Sequence, residues 1–94
     1  MFTTTLRGMK LTMKLTFKLY ASLSSYLPGD AKENKVVLDV PAETSPIQLL
    51  KQHGVPTADV HLVLVNGVFV PPSQRNEYLH EGDELAVWPA VAGG

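Results

Sequence analysis

Cysteine is absent from the 94 residues. That excludes disulfides, thiolate nucleophiles, and Cys-ligated zinc or iron–sulfur sites, and it suits a cytoplasmic protein. An excess of either charge is also missing. Eight Lys and Arg stand against nine Asp and Glu, a formal net charge of -1. No stripe of clustered Lys and Arg recommends a nucleic-acid partner, because phosphate binding depends on such clusters. No apolar run approaches the ~20 residues that span a bilayer, so no membrane partner is expected either. Three histidines, His53, His61 and His80, follow no metal-ligand spacing, and no metal is expected. Asp83 and Glu84 are adjacent carboxylates, but neighbouring strand residues point to opposite faces, so Asp83 reads as a turn residue rather than half of an acid/base pair.

What is present fits one domain. The opening stretch MFTTTLRGMKLT is basic and Thr-rich but has no apolar segment followed by a small-residue cleavage site. The tetrad MKLT occurs twice, at Met9–Thr12 and Met13–Thr16. Residues 1–12 therefore read as an extension and Met13 as the natural start of the domain. From there the chain alternates: Leu15, Phe17 and Leu19 share one face, and Lys14, Thr16 and Lys18 the other, which is a half-buried strand. SLSSYL forms a short helical turn with Leu23 and Leu27 inward, and PGDAKENK is a loop broken by Pro28-Gly29. A second strand runs from Lys35 to Val40. In ETSPIQLLKQHG, Ser45 is a helix N-cap, Pro46 the first helical residue and Gln48 the capping-box partner. Ile47, Leu49 and Leu50 supply the apolar face and Gly54 the stop.

VHLVLVNGVFVPP is a hairpin around Asn66-Gly67. Its first arm is apolar on both faces, which places it centrally in a sheet or under a partner. SQRNEYLHEGDE is a long connection ending in a tight turn at Glu81-Gly82-Asp83. ELAVWP is the last strand, with Leu85 and Val87 on one face and Ala86 and Trp88 on the other. Each element has one apolar side to bury, so a mixed sheet packed on one main helix is the economical solution. With the first two strands antiparallel and the last returning beside the first, this is an α+β, ubiquitin-like β-grasp fold spanning residues 13–88. Residues 89–94 follow as a tail ending in Gly93-Gly94.

The segment LHEGDELAVWPAVAGG resembles the end of the MoaD/ThiS sulfur carriers. Leu79, Gly82, Asp83, Leu85, Trp88, Pro89, Gly93 and Gly94 fill that pattern, and LVNGVFV is similar to the family's hairpin. The segment ASLSSYL and the tail WPAVAGG look most like the molybdopterin synthase small subunit, with Ala90 where the second proline of that tail usually stands. The resemblance implies a non-catalytic, sulfur-carrying subunit of a synthase. A ubiquitin-activating-type adenylating enzyme (MoeB/ThiF-like) would use ATP to adenylate the Gly94 carboxylate. A sulfur donor, a cysteine desulfurase or rhodanese, would then leave a thiocarboxylate there. The acceptor would be reached through a large synthase subunit (MoaE-like) that makes molybdopterin. No permanently bound cofactor is implied. Thiamin thiazole or a tRNA base are alternative acceptors. A ubiquitin-like modifier joined to lysines through Gly94, and a ligand-binding β-grasp module, are readings of a different class.

The residues suit the implied task. Six residues from Pro89 to Gly94 reach at most about 20 Å, and two glycines let channel walls close on the backbone. Pro89 stiffens the exit. Trp88, facing away from Leu85 and Val87, is the expected interface anchor beside Pro89, Ala90, Val91 and Ala92. Phe69 is a further partner-binding candidate. Either Val63 and Val65, or Leu62 and Leu64, would extend that patch.

Overall fold

The computed structural model describes residues 11–90. Five strands form one sheet in the order β2-β1-β5-β3-β4. They are β1 (Thr12–Leu19), β2 (Lys35–Pro41), β3 (Val60–Val65), β4 (Val68–Phe69) and β5 (Glu84–Pro89). One helix, α1 (Pro46–Gln52), packs on the sheet. β1 pairs antiparallel with β2 and parallel with β5, and β5 pairs antiparallel with β3. The expected mixed sheet with the last strand beside the first is therefore present. β1 begins one residue before the expected domain start, since Thr12 pairs with Pro41, and Pro89 belongs to β5 rather than to a tail.

Strand alternation decides what is buried. Met13, Leu15, Phe17 and Leu19 of β1 point inward with Val36 and Val40, Leu85 and Val87, and Val63. Leu49 and Leu50 of α1, together with Leu23, Val55 and Leu79 from the connections, close this layer. Phe17 is fully buried and its ring meets that of His53 at 5.0 Å. Ile47, expected on the apolar face of the helix, is only half-buried, and Pro46 takes the inward place.

The helix is seven residues long, too short to persist alone in water, and both ends are fixed by local chemistry. Ser45 Oγ accepts from Gln48 N at 3.2 Å and Gln48 Oε1 accepts from Ser45 N at 2.9 Å, the reciprocal capping box. At the other end Gly54 adopts φ +75. Gly54 N donates to Lys51 O and Val55 N to Leu50 O, each at 3.0 Å. These are the two bonds of a Schellman stop, and the buried Val55 is its hydrophobic partner.

Candidate functional site

The site is assembled by parity. In β3 the inward residue is Val63, opposite Val87, so Leu62 and Leu64 face away from the helix, opposite Trp88 and Ala86. This decides between the two pairs that the sequence leaves open. Phe69 of β4 pairs with Leu64 and is 53% exposed on the same outer face. Thr16 and Lys18 of β1 lie beside Glu84 and Ala86. The outer face is thus divided. Its β2–β1 half carries the Lys14–Asp39 ion pair (3.0 Å) and its middle the Lys18–Glu84 pair (3.0 Å), whereas the β5–β3–β4 half carries Ala86, Leu62, Leu64, Trp88 and Phe69. The bond to Glu84 raises Lys18 above the ordinary lysine range, against a smaller opposing effect of desolvation.

Trp88 does lie on the outer face beside the chain's exit, but it is half-buried rather than bare. The ring of Tyr20 stacks on it, with centroids 4.4 Å apart and planes 7° from parallel. Tyr20 is positioned by backbone: its N–H donates to Val87 O at 3.1 Å, extending the β1–β5 pairing one residue past the strand. The chain then turns sharply at Ala21, which has φ 54, into a 3₁₀ turn over Ala21–Tyr26. That turn brings Ala21 and Ser22 against His61, Leu62, Trp88, Pro89 and Ala90. Together they line an apolar groove of about 420 Å³. Sequence reasoning missed Tyr20, although its even number places it in register with Lys14, Thr16 and Lys18 on the outer side.

The same departure of β1 explains a proline at the end of a central strand. The Val87 carbonyl faces β1, and Pro89, two residues on, has the same orientation. Its missing N–H therefore points where β1 has already turned away, so no ladder bond is lost. Pro89 is half-buried and pairs with Val60, and Ala90 is exposed. Val91, Ala92, Gly93 and Gly94 lie outside the described residues.

The motif residues Asn66, Gly82 and Asp83 have structural duties. Asn66 (φ 53) and Gly67 (φ 82) both adopt the left-handed conformation that the two-residue hairpin turn requires. Asn66 Nδ2 donates to Asp83 Oδ1 at 2.8 Å, and Asn66 Oδ1 accepts from Glu84 N at 2.9 Å. Asp83 Oδ2 accepts from His80 N at 2.8 Å. Gly82, at φ 84, donates its N–H to Lys14 O at 2.8 Å. Both carboxylate oxygens of Asp83 are thus occupied in locking the hairpin to the turn before β5, so the turn role read from sequence is the one observed. This clamp fixes where β5 begins and hence where Trp88 and Pro89 emerge.

A second device lies on the β4 side. Arg75 is 7% exposed, and burial lowers its pKa from the ordinary arginine value. Its Nε donates to Val70 O at 3.1 Å and its Nη2 to His61 O at 3.2 Å. Its own carbonyl accepts from Ile47 N at 3.0 Å, in the first turn of α1.

Comparison with known proteins agrees with this architecture. A family model described as "Mut7-C ubiquitin" matches residues 12–93. No curated protein matches the chain. Among solved structures, the Haloferax volcanii HVO 2177 protein is similar at 22% identity and TM-score 0.68, covering 90% of each chain. A putative molybdopterin converting factor subunit 1 from Pyrococcus furiosus is 20% identical, with TM-score 0.60, covering 84% of this chain and 99% of that one. The small archaeal modifier SAMP1 from Haloferax volcanii is 25% identical, with TM-score 0.59, covering 86% of this chain and 99% of that one. These likenesses fit the ubiquitin-like β-grasp and the MoaD/ThiS-like resemblance of the sequence, and with the model spanning nearly its whole length, the chain belongs to the Mut7-C ubiquitin family.

Proposed function

We propose that the protein is a sulfur carrier. The Gly94 carboxylate is adenylated by a ubiquitin-activating-type enzyme using ATP, with loss of pyrophosphate. A persulfide donor displaces AMP, and a thiol reduces the resulting acyl disulfide to the thiocarboxylate. The acceptor favoured by the tail WPAVAGG is molybdopterin, through a MoaE-like large subunit, and the setting is cytoplasmic. The observation that carries the reading is the apolar band of Leu62, Leu64, Trp88 and Phe69, which runs to the point where Pro89 and Ala90 leave the sheet toward Gly93-Gly94. A partner seated on that band receives the tail beside its own active site. Because the catalytic groups belong to the partner, the carrier needs none.

A second reading, a modifier joined to lysines through Gly94, is favoured by the likeness to the small archaeal modifier. Intact mass after incubation with an adenylating enzyme, ATP and sulfide separates the two. A gain matching one oxygen replaced by sulfur, absent from a variant lacking Gly93 and Gly94, supports the carrier. Isopeptide-linked adducts without free thiocarboxylate support the modifier. The mass of the cellular protein tests the shared requirement, a free carboxylate at Gly94.

A further inference from the structure

The β3–β4 ladder stops early for a covalent reason. Its register runs Val65↔Val68 and Leu64↔Phe69. One step on, Val70 N donates to Val63 O at 2.9 Å. Continuing by two residues would set His61 opposite Pro72, which has no N–H to give. Pro71 and Pro72 thus end the ladder just where His61 needs a donor. The need is greater because the pairing of β3 with β5 shifts there. Leu62 pairs with Trp88 but Val60 pairs with Pro89, leaving His61 as the extra residue of a bulge.

The chain resolves this by folding back. A 3₁₀ turn over Pro72–Gln74 returns Arg75 to the sheet edge. Its guanidinium meets the carbonyls of Val70 and His61, and the second of these is the one set against Pro72 and its missing N–H. A planar fork with several fixed donors suits two carbonyls at once, and a lysine ammonium does not reproduce it. We propose that Arg75 is a positioning residue for the tail: its guanidinium stands in for the N–H that Pro72 lacks and holds the His61 bulge that sets the direction in which Pro89 and Ala90 leave the sheet. The consequence for transfer rests on the carrier reading. A tail held on one exit line loses less freedom on entering a partner's channel than one on a frayed strand end.

The test compares wild type with Arg75→Lys and with Val36→Ala, a core change on β2, three strands away from β3. The readouts are amide hydrogen exchange and steady-state adenylation by the activating enzyme. Arg75→Lys should speed exchange at Leu62 and Trp88 and raise the KM for the carrier about tenfold, with kcat within about twofold. Val36→Ala should lower the melting temperature and leave KM in place. The proposal is overturned if Arg75→Lys keeps the wild-type KM, or if Val36→Ala raises KM as much. Should Arg75→Lys not fold, the wild-type Arg75 Nη2 protons, which face His61 O, decide. Exchange as slow as the Leu62 amide supports the brace, and exchange at the rate of an exposed arginine overturns it. A wild-type chain that is never adenylated fails the carrier reading itself and takes the tail role with it. A wild type that is adenylated, beside an Arg75→Lys variant of equal KM, fails only the positioning role.

Discussion

Gly94→Ala is the sharpest residue-scale change. In the carrier reading, a methyl group on the Cα beside the reacting carboxylate would press on the partner's walls where ATP must meet it. Misplacement by an ångström or so costs about a hundredfold in rate. Adenylation, followed as ATP–pyrophosphate exchange, should fall by that order, while circular dichroism and melting temperature stay at wild-type values. Normal exchange would sink the channel argument. Lys18 offers a second residue-scale test. Its pKa is raised above the ordinary lysine value, first by the hydrogen bond from Nζ to Glu84. A raised pKa means that the protonated form is favoured in the folded state. The pair's contribution is therefore fully present below the unfolded lysine value and is lost as pH climbs through the folded one. Glu84 is partly exposed and Lys18 lies near solvent, so salt should weaken the effect. In urea titrations, the stability gap between wild type and Glu84→Gln should hold steady from about pH 7 to about pH 10 and close above that. A gap that widens with alkali would contradict the assignment.

Among elements, α1 depends most on its ends. With only seven residues it contributes few internal bonds, and Ser45 is 2% exposed, so its hydroxyl has little access to a replacement partner in water. Ser45→Ala should cost about 1 kcal/mol of unfolding free energy, within a range of roughly 0.5–2. Gln48→Ala should cost less, since it removes only the return bond of the box. Denaturant unfolding at matched slopes measures both. This helix was legible in sequence because its determinants lie within ten residues: Ser45, Pro46, Gln48 and Gly54 each act on a neighbouring backbone group. The strand β1 was legible for the same kind of reason, since its alternation needs no partner to be seen. β3 was not. Leu62, Val63, Leu64 and Val65 are equally apolar, so only the pairing with β5 decides that Val63 is inward and Leu62 outward. The Tyr20–Trp88 stack was hidden because its two rings are 68 residues apart and join only through the parallel pairing of β1 with β5. Arg75 gave a signal that is readable only afterwards. A proline that faces the neighbouring strand at the end of a ladder withholds one donor, and an arginine three residues later can supply it.

For the whole molecule, the sheet separates the core from the candidate docking surface by face. The inner face is closed by α1 and holds the residues whose burial stabilises the domain. The outer face presents Leu64 and Phe69 beside the groove at Trp88. A domain of this size has a stability of about 5–14 kcal/mol, so a core deletion removes a large fraction of it. Leu85→Ala, at a fully buried position, should cost about 2–5 kcal/mol. Phe69→Ser, on the short edge strand at 53% exposure, loses a cross-strand contact with Leu64 and should cost under about 1 kcal/mol. For partner binding the ranking should reverse. An aromatic buried centrally in an interface contributes 2 kcal/mol or more on the order of a hot spot. In the carrier reading, Phe69→Ser should therefore weaken binding to the activating enzyme by about 30-fold. Leu85→Ala, measured well below its melting temperature, should bind within about threefold of wild type. Calorimetric titration of both variants, with urea unfolding alongside, reads the two scales independently. If Leu85→Ala lost affinity in step with stability, recognition would depend on the tightness of the core. If Phe69→Ser bound normally, the partner would sit on the Trp88 end of the face alone, and the apolar band would reach across the sheet for folding rather than for docking.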